Sequence, residues 1–372
     1  MSRLDRYILS SQLRAFGFFS IILLMVYWVN NAAILFDTLI GDGQSVAVFL
    51  EFSALTLPSI IFFVLPMSTL IATLFATNRL INDSELIIAR AAGYGAVRLS
   101  WGVFLYGLIV ALFMSAVAHF LQPTAAETLA EKRDEISRDV AAQFLDEGVF
   151  LHPTPGITFY IREINARGEL LDIFLSDSRS DATSTIYTAK RAILIDVASS
   201  AWLLMYDGLA QSLSLGEATL ATTRFDELSY DMSALIDTSG FLFPKPQELT
   251  TADLLSLDPA MIEAAGATPA EFLTTAHLRF TQPAFAIVVA LLSFAAMMTG
   301  HFNRLGNWRQ IGLGVALVLA LKSFDNFVVG LSYNDATMWP TLYAPTVLGT
   351  LITVLVLWIT ERPALFKRRR AA

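Results

Sequence analysis

The chain has 372 residues, 55 % of them apolar, with a formal net charge of −8 and no cysteine. The apolar residues come in long blocks, which excludes an ordinary soluble globular domain. Without cysteine there are no disulfides and no thiolate metal centre, and the acidic balance argues against nucleic-acid binding.

Six blocks reach the ~20 apolar residues that a membrane-crossing helix needs. They are 15–36, 52–77, 101–121, 280–300, 311–331 and 341–360. The first is longer than a secretory signal core of about 7–15 residues and lacks a small-residue cleavage site, so it is expected to be a retained span. Between the third and fourth blocks lies a polar insert. The expected organisation is therefore 1–121 with three spans, 122–276 as an extramembrane domain, and 277–372 with three spans and a basic tail.

The basic residues set an orientation. Arg3, Arg6, Arg14, Arg79, Arg90, Arg98, Arg304, Arg309, Arg362 and the run Lys367 to Arg370 all fall on one side of a six-span chain. The short loops on the other side, 37–51 and 332–340, hold no lysine or arginine. By the positive-inside rule both termini are expected in the cytoplasm and the insert outside. The acidic excess belongs to the insert, where 24 acidic residues face 10 basic ones.

The insert opens with a charged helix-forming stretch at 124–145. Nine strand-like runs follow: GVFLHP, ITFYIREI, ELLDIFLSD, TIYTAK, AILIDV, AWLLMYDG, QSLSL, ATLATTRF and LSYDMS. Their alternation and turn spacing predict an antiparallel sandwich or barrel-like sheet. FPKPQELT (243–250) marks the exit, and short helices are expected to lead back to the fourth span.

Between the second and third spans the chain reads NRLINDSELIIARAAGYGAVRLS (78–100). Asn82 and Glu85 have the spacing of a capping box, and Gly93 and Gly95 stop the helix, so about ten residues over roughly 82–93 are expected to be helical. A helix that short is marginal in water and must be docked. Two alternatives remain at this level: an interfacial helix with Leu86, Ile87 and Ile88 toward the acyl chains, or a helix entering a groove of a cytoplasmic partner.

Catalytic signatures are missing. The four histidines form no H-E-x-x-H pair, no G-x-S-x-G elbow occurs, and without a Gly-Lys dipeptide there is no Walker A loop. The chain is expected to be a non-catalytic subunit with no cofactor of its own, so any work it does draws on a partner.

A few polar side chains lie within spans. Lys322 and Asp325 share one face of the fifth span, where each costs roughly 2.5–3.5 kcal/mol on insertion scales. They are expected to pair internally, or Lys322 reaches a lipid phosphate in a central cavity. Arg279, at the outer mouth of the fourth span, either snorkels or meets an anionic headgroup. Asn30 and Asn31 suit interhelical hydrogen bonds. An intramembrane enzyme using Asp325 and His119, or a scaffold displaying the insert without transport, are the rival readings.

SELIIARAAGYGAVRL after LPMSTLIATL (65–74), together with LDRYILSSQL at the amino terminus, resembles the YjgP/YjgQ permeases, the LptF and LptG subunits of the lipopolysaccharide exporter. That resemblance implies a heterodimer of LptF with LptG bound to an LptB ATPase dimer, which would bring ATP and Mg. It implies a coupling helix in which Glu85, Leu86, Ala89, Arg90 and Gly93 match the family motif. It also implies that the insert is a β-jellyroll passing lipopolysaccharide to LptC and an LptA-like periplasmic bridge. The membrane that the resemblance implies is a bacterial inner membrane, and the outside its periplasm. The basic residues often found near the outer end of the first span are absent, where Asn30, Asn31 and Ile34 stand instead.

Overall fold

The computed structural model describes residues 2–41, 45–143, 148–151, 156–165, 169–179, 183–197, 200–214, 219–231, 245–300 and 307–362. Arg304 and the basic run from Lys367 lie outside them. The chain divides into two compact units, one of Met1–Leu129 with Pro244–Ala372 and one of Ala130–Phe243.

The first unit holds six helices long and apolar enough to cross a membrane. They are α1 (Arg3–Gly41), α2 (Val46–Asn82), α4 (Ala96–Ala116), α8 (Pro269–Met298), α9 (Trp308–Asn334) and α10 (Ala344–Glu361). Short α3 (Glu85–Ala91) joins α2 to α4, and α4 passes through one π-type turn at Val117–Leu121 into α5 (Gln122–Gln143). Local chemistry fixes the starts. Ser45 accepts from the Val48 N–H ahead of α2. Thr268 and Glu271 cap each other's backbone at α8, whose first position is Pro269.

Helix α8 is the centre of this unit. Of its most apolar stretch 78 % is buried, against 0 % for α1. Helix α1 is instead held to α2 by polar links: Gln12 to Thr77 at 3.2 Å, Trp28 to Ser53 at 2.8 Å and Asn31 to Thr56 at 3.1 Å. Bonds of this kind average ~0.6 kcal/mol between membrane helices, so three of them locate α1 more than they stabilise it.

Helices α6 (Thr251–Ser256) and α7 (Pro259–Ala264) lie before α8 in this unit. Leu254, Phe272 and Ala276 bury one another there. Apolar contact thus joins the return helices to the spans, and the separate unit is narrower than the expected 122–276.

The second unit is a six-stranded antiparallel sheet in the order β1-β2-β3-β4-β5-β6. The strands are β1 (Phe150–Leu151), β2 (Ile157–Ile164), β3 (Leu170–Asp177), β4 (Thr183–Val197), β5 (Ser200–Ser214) and β6 (Thr219–Asp231). Among the described strands this is a meander, without the crossovers that define a jelly roll. Three pairs of the runs expected as separate strands are each one long strand: TIYTAK with AILIDV, AWLLMYDG with QSLSL, and ATLATTRF with LSYDMS.

The cause is a crease. Pairing skips one position in each of β2 to β6 along a single line: Arg162, Asp172, Lys190, Asp207 and Asp226. Asp172 (φ 46) and Asp207 (φ 53) adopt the left-handed region there, and Arg162 pairs with Asp172. The skipped positions lie opposite one another, so the register continues unbroken across the line. The in–out alternation does shift there, so β3 buries Leu175 and Ile173 on one side of the line and Leu170 on the other. Residues from both sides, including Ile161, Leu175, Leu203 and Met205, form one buried cluster. The sheet folds over on itself: Tyr230 of β6 donates to Asp177 of β3 at 2.8 Å, although two strands, β4 and β5, lie between them in the sheet order.

Candidate functional sites: the short helix α3 and the polar cluster between α8 and α9

Helix α3 is a seven-residue element fastened on three sides. Asn82 is the last residue of α2, and the α3 cap is Ser84 at φ 60 with no side-chain capping bond. The expected capping box is therefore not formed. Asn82 Oδ1 instead accepts from Asn307 at 3.2 Å, and the Glu85 carboxylate accepts from the Tyr7 hydroxyl at 2.9 Å. Competition decides this: α2 runs on through Asn82, so its backbone is helical where an N-cap must be extended.

Leu86 is 3 % exposed and sits in the same cluster as Leu80, Ala96 and Leu99, with Ala89 packed against it. The helix is thus docked on its own chain by Leu86 and Ala89. At its other end the Gly93 N–H donates to Arg90 and the Tyr94 N–H to Ala89, with Gly93 at φ +93. That is a Schellman ending, which needs the left-handed conformation that glycine adopts without cost. What remains outward is Ile88 at 66 % exposure, Tyr94 at 39 % and the Arg90 side chain.

The second cluster is a closed triangle across α8 and α9. Lys322 Nζ donates to Asp325 Oδ2 at 2.7 Å and to Gln282 Oε1 at 3.1 Å, and Gln282 Nε2 donates to the same Asp325 oxygen at 2.9 Å. The ammonium also lies 5.5 Å from the centre of the Phe285 ring. Asp325 is buried while the Lys322 side chain is 40 % exposed. Of the two expectations for this pair, the geometry matches the internal ion pair, with Gln282 as a partner that charge reading missed. Nearby, Thr274 donates to Ser332 at 3.0 Å, a second polar tie between these helices.

Arg279 is not at an open mouth. It is 4 % exposed, and its guanidinium donates to the Gln247 and Leu249 carbonyls and the Thr251 hydroxyl at 2.8–3.2 Å. The expectation that it meets a headgroup is corrected by this burial: the loop before α6 uses its donors. His119 faces the same hydroxyl, with Nδ1 2.8 Å from Thr251 Oγ1. Asp325 and His119 have separate sets of partners, so the arrangement assembles no acid–base pair from them. The hydrogen bonds of Trp28 to Ser53 and Gln12 to Thr77 had no distinct sequence signal, whereas Asn31 was expected to bond between helices and does.

A family model described as lipopolysaccharide export system permease LptF/LptG matches residues 6–359. The lipopolysaccharide export system permease protein LptG of Haemophilus influenzae is 20 % identical over 324 residues, covering 84 % of this chain and 85 % of that protein. An uncharacterised protein of Rickettsia prowazekii is 21 % identical over 272 residues, covering 72 % of this chain and 74 % of that one. With six apolar spans, an inserted antiparallel sheet and a family match over nearly its whole length, the chain belongs to the LptF/LptG family of lipopolysaccharide export permeases.

Proposed function

We propose that this chain is one permease subunit of an ABC transporter that extracts lipopolysaccharide from the inner membrane and hands it to a periplasmic bridge. Its termini and α3 lie in the cytoplasm and its sheet in the periplasm, a sidedness supported by the arginine distribution. A homologous LptG-type permease completes the membrane pair, an LptB-type ATPase dimer supplies ATP and Mg chemistry, and LptC with an LptA-like protein receives the lipid. The VYWVNNAAILFDTLI and TFYIREI stretches are LptF-like, which favours the LptF arm of the family.

The observation that carries this reading is the two-faced placement of α3. Its inner face, Leu86 and Ala89, is part of the transmembrane core, while Ile88, Arg90 and Tyr94 are left outward. A helix so built transmits a push from an outer partner directly into the spans.

The experiment is co-purification from native membranes. Ile88→Glu and Arg90→Glu are expected to release the nucleotide-binding subunit while the homologous permease stays bound. Retention of the ATPase by both variants, or the absence of any ATPase in the wild-type preparation, would refute the coupling role.

A further inference from the structure

Helices α4, α8 and α10 enclose a groove of ≈ 580 Å³ that the transport reading does not use. It is lined by Phe104, Ile287, Leu291 and Val354, with Trp101 and Trp358 toward one end. Along α10 it runs from Thr346 to Trp358, roughly 18 Å at 1.5 Å per residue. All three walls are apolar spans, so the medium that meets this groove is hydrocarbon.

The groove opens into a polar mouth. A second cavity of ≈ 730 Å³, lined by Ser2, Asp5 and Arg98, shares Val97, Trp101 and Glu361 with it. Both Asp5 oxygens accept from Arg98, at 2.8 and 2.9 Å, and one also accepts from the Ser2 N–H. Asp5 is therefore satisfied. Glu361 gives Oε1 to the Val97 N–H at 3.1 Å, and its other oxygen faces no donor among the described residues. Next to it the Arg362 guanidinium lies 4.8 Å from the centre of the Trp358 ring, with no carboxylate partner among the described residues. An apolar slot thus ends beneath one available carboxylate oxygen and one available guanidinium.

We propose that this groove and mouth bind a single phosphatidylethanolamine from the leaflet on the arginine-rich side. An acyl chain fills the slot, the phosphate meets Arg362, and the primary ammonium meets Glu361. The paired charges select this head group. An anionic lipid without an amine leaves Glu361 facing like charge, and a choline head group has no N–H to donate. The two tryptophans sit where indoles prefer to be, at the boundary between chain and head group.

The test uses the full chain in phosphatidylcholine vesicles doped with phosphatidylethanolamine whose acyl chain carries a diazirine. After illumination, peptides containing Trp101 and Thr350 are expected to be labelled well above the lipid-facing side of α1 at Ile21 and Met25. Unlabelled phosphatidylethanolamine should compete about tenfold better than phosphatidylcholine, a preference of ~1.4 kcal/mol, and Glu361→Gln or Arg362→Gln should remove it. Thr350→Phe fills the slot and should abolish labelling at Trp101 while leaving α1 unchanged. Equal labelling of α1 and the groove overturns the site, since it describes ordinary annular lipid. Loss of groove labelling when the homologous permease is co-reconstituted overturns it too, because a protein helix is then the occupant. Neither result depends on lipopolysaccharide or ATP, so the transport reading stands or falls separately.

Discussion

Tyr7 and Glu85, 78 positions apart, are joined by a 2.9 Å hydrogen bond from the phenol to the carboxylate. It ties the start of α1 to the first residue of α3. Two residues earlier, Asp5 makes a bidentate pair with Arg98 of α4. Helix α1 is the span with the least burial, yet at this end it is clamped to α3 and to α4. A displacement of α3 is therefore delivered to α1 as well as to α4.

Tyr7→Phe tests that linkage. The bond is exposed, so its loss should cost no more than ~1 kcal/mol and leave the fold, and with it the docking of the proposed ATPase partner, in place. Lipopolysaccharide release per ATP hydrolysed should fall by several-fold in reconstituted vesicles. A variant that loses the ATPase altogether would show that Tyr7 acts by holding α3 folded.

The Lys322–Asp325 pair predicts an asymmetry. Lys322→Met leaves the buried Asp325 carboxylate with only Gln282, and should lower thermal stability in detergent more than Asp325→Asn does. The double variant Lys322→Met with Asp325→Leu should recover most of the loss. A double-mutant cycle is expected to return a coupling of ~1–2 kcal/mol. Lipopolysaccharide cross-linking that vanishes in the double variant, despite full stability, would instead assign Lys322 to the lipid.

Sequence made the spans legible because twenty apolar residues in a row have one low-energy solution in a membrane. All six expected blocks lie within described helices, except for the last two residues of the fourth, Thr299 and Gly300. It misplaced the α3 cap because capping signals are local, while the bond that takes Glu85 comes from Tyr7, far away in the chain. Arg279 was misread for the same reason: its burial is imposed by carbonyls at Gln247 and Leu249, which no spacing rule connects to it. In the sheet, β4, β5 and β6 look in sequence like pairs of short strands parted after Lys190, Gly208 and Phe225. The alternation breaks close by, but along the crease of an unbroken register and not at turns.

Gly208 marks that crease. It pairs with Phe225, and an added Cβ would run into the Phe225 ring and the Thr188 carbonyl oxygen. The absence of a side chain leaves room for the Phe225 ring of β6 against β5 at the crease. Gly208→Val should destabilise the sheet by roughly 1–3 kcal/mol, the usual cost of overpacking. Hydrogen exchange should locate the loss at β5 and β6, with the helices unaffected. Uniform exchange across all six strands would mean that the crease is not a separate weak point.

The last prediction concerns acid. Arg179 donates to Asp177 Oδ2 at 2.6 Å and, with the Tyr230 hydroxyl, holds this carboxyl down from 3.8 to about 2. Burial acts in the opposite direction, and the hydrogen bonds outweigh it. A depressed folded-state value stabilises the fold above the unfolded value near 3.8, and that contribution is lost as pH falls from about 4 to about 2. A shift of that size corresponds to ~2 kcal/mol unscreened, and the exposure of Arg179 reduces it to ~1 kcal/mol. Because Asp177 and Tyr230 lie on opposite sides of the crease, this acid-labile bond closes the folded sheet. Denaturant unfolding followed at Trp202, with the other tryptophans replaced, should show the midpoint dropping through this window in wild type. In Asp177→Asn it should start lower and stay flatter. An unchanged slope in that variant would place the acid sensitivity of the sheet on other carboxylates.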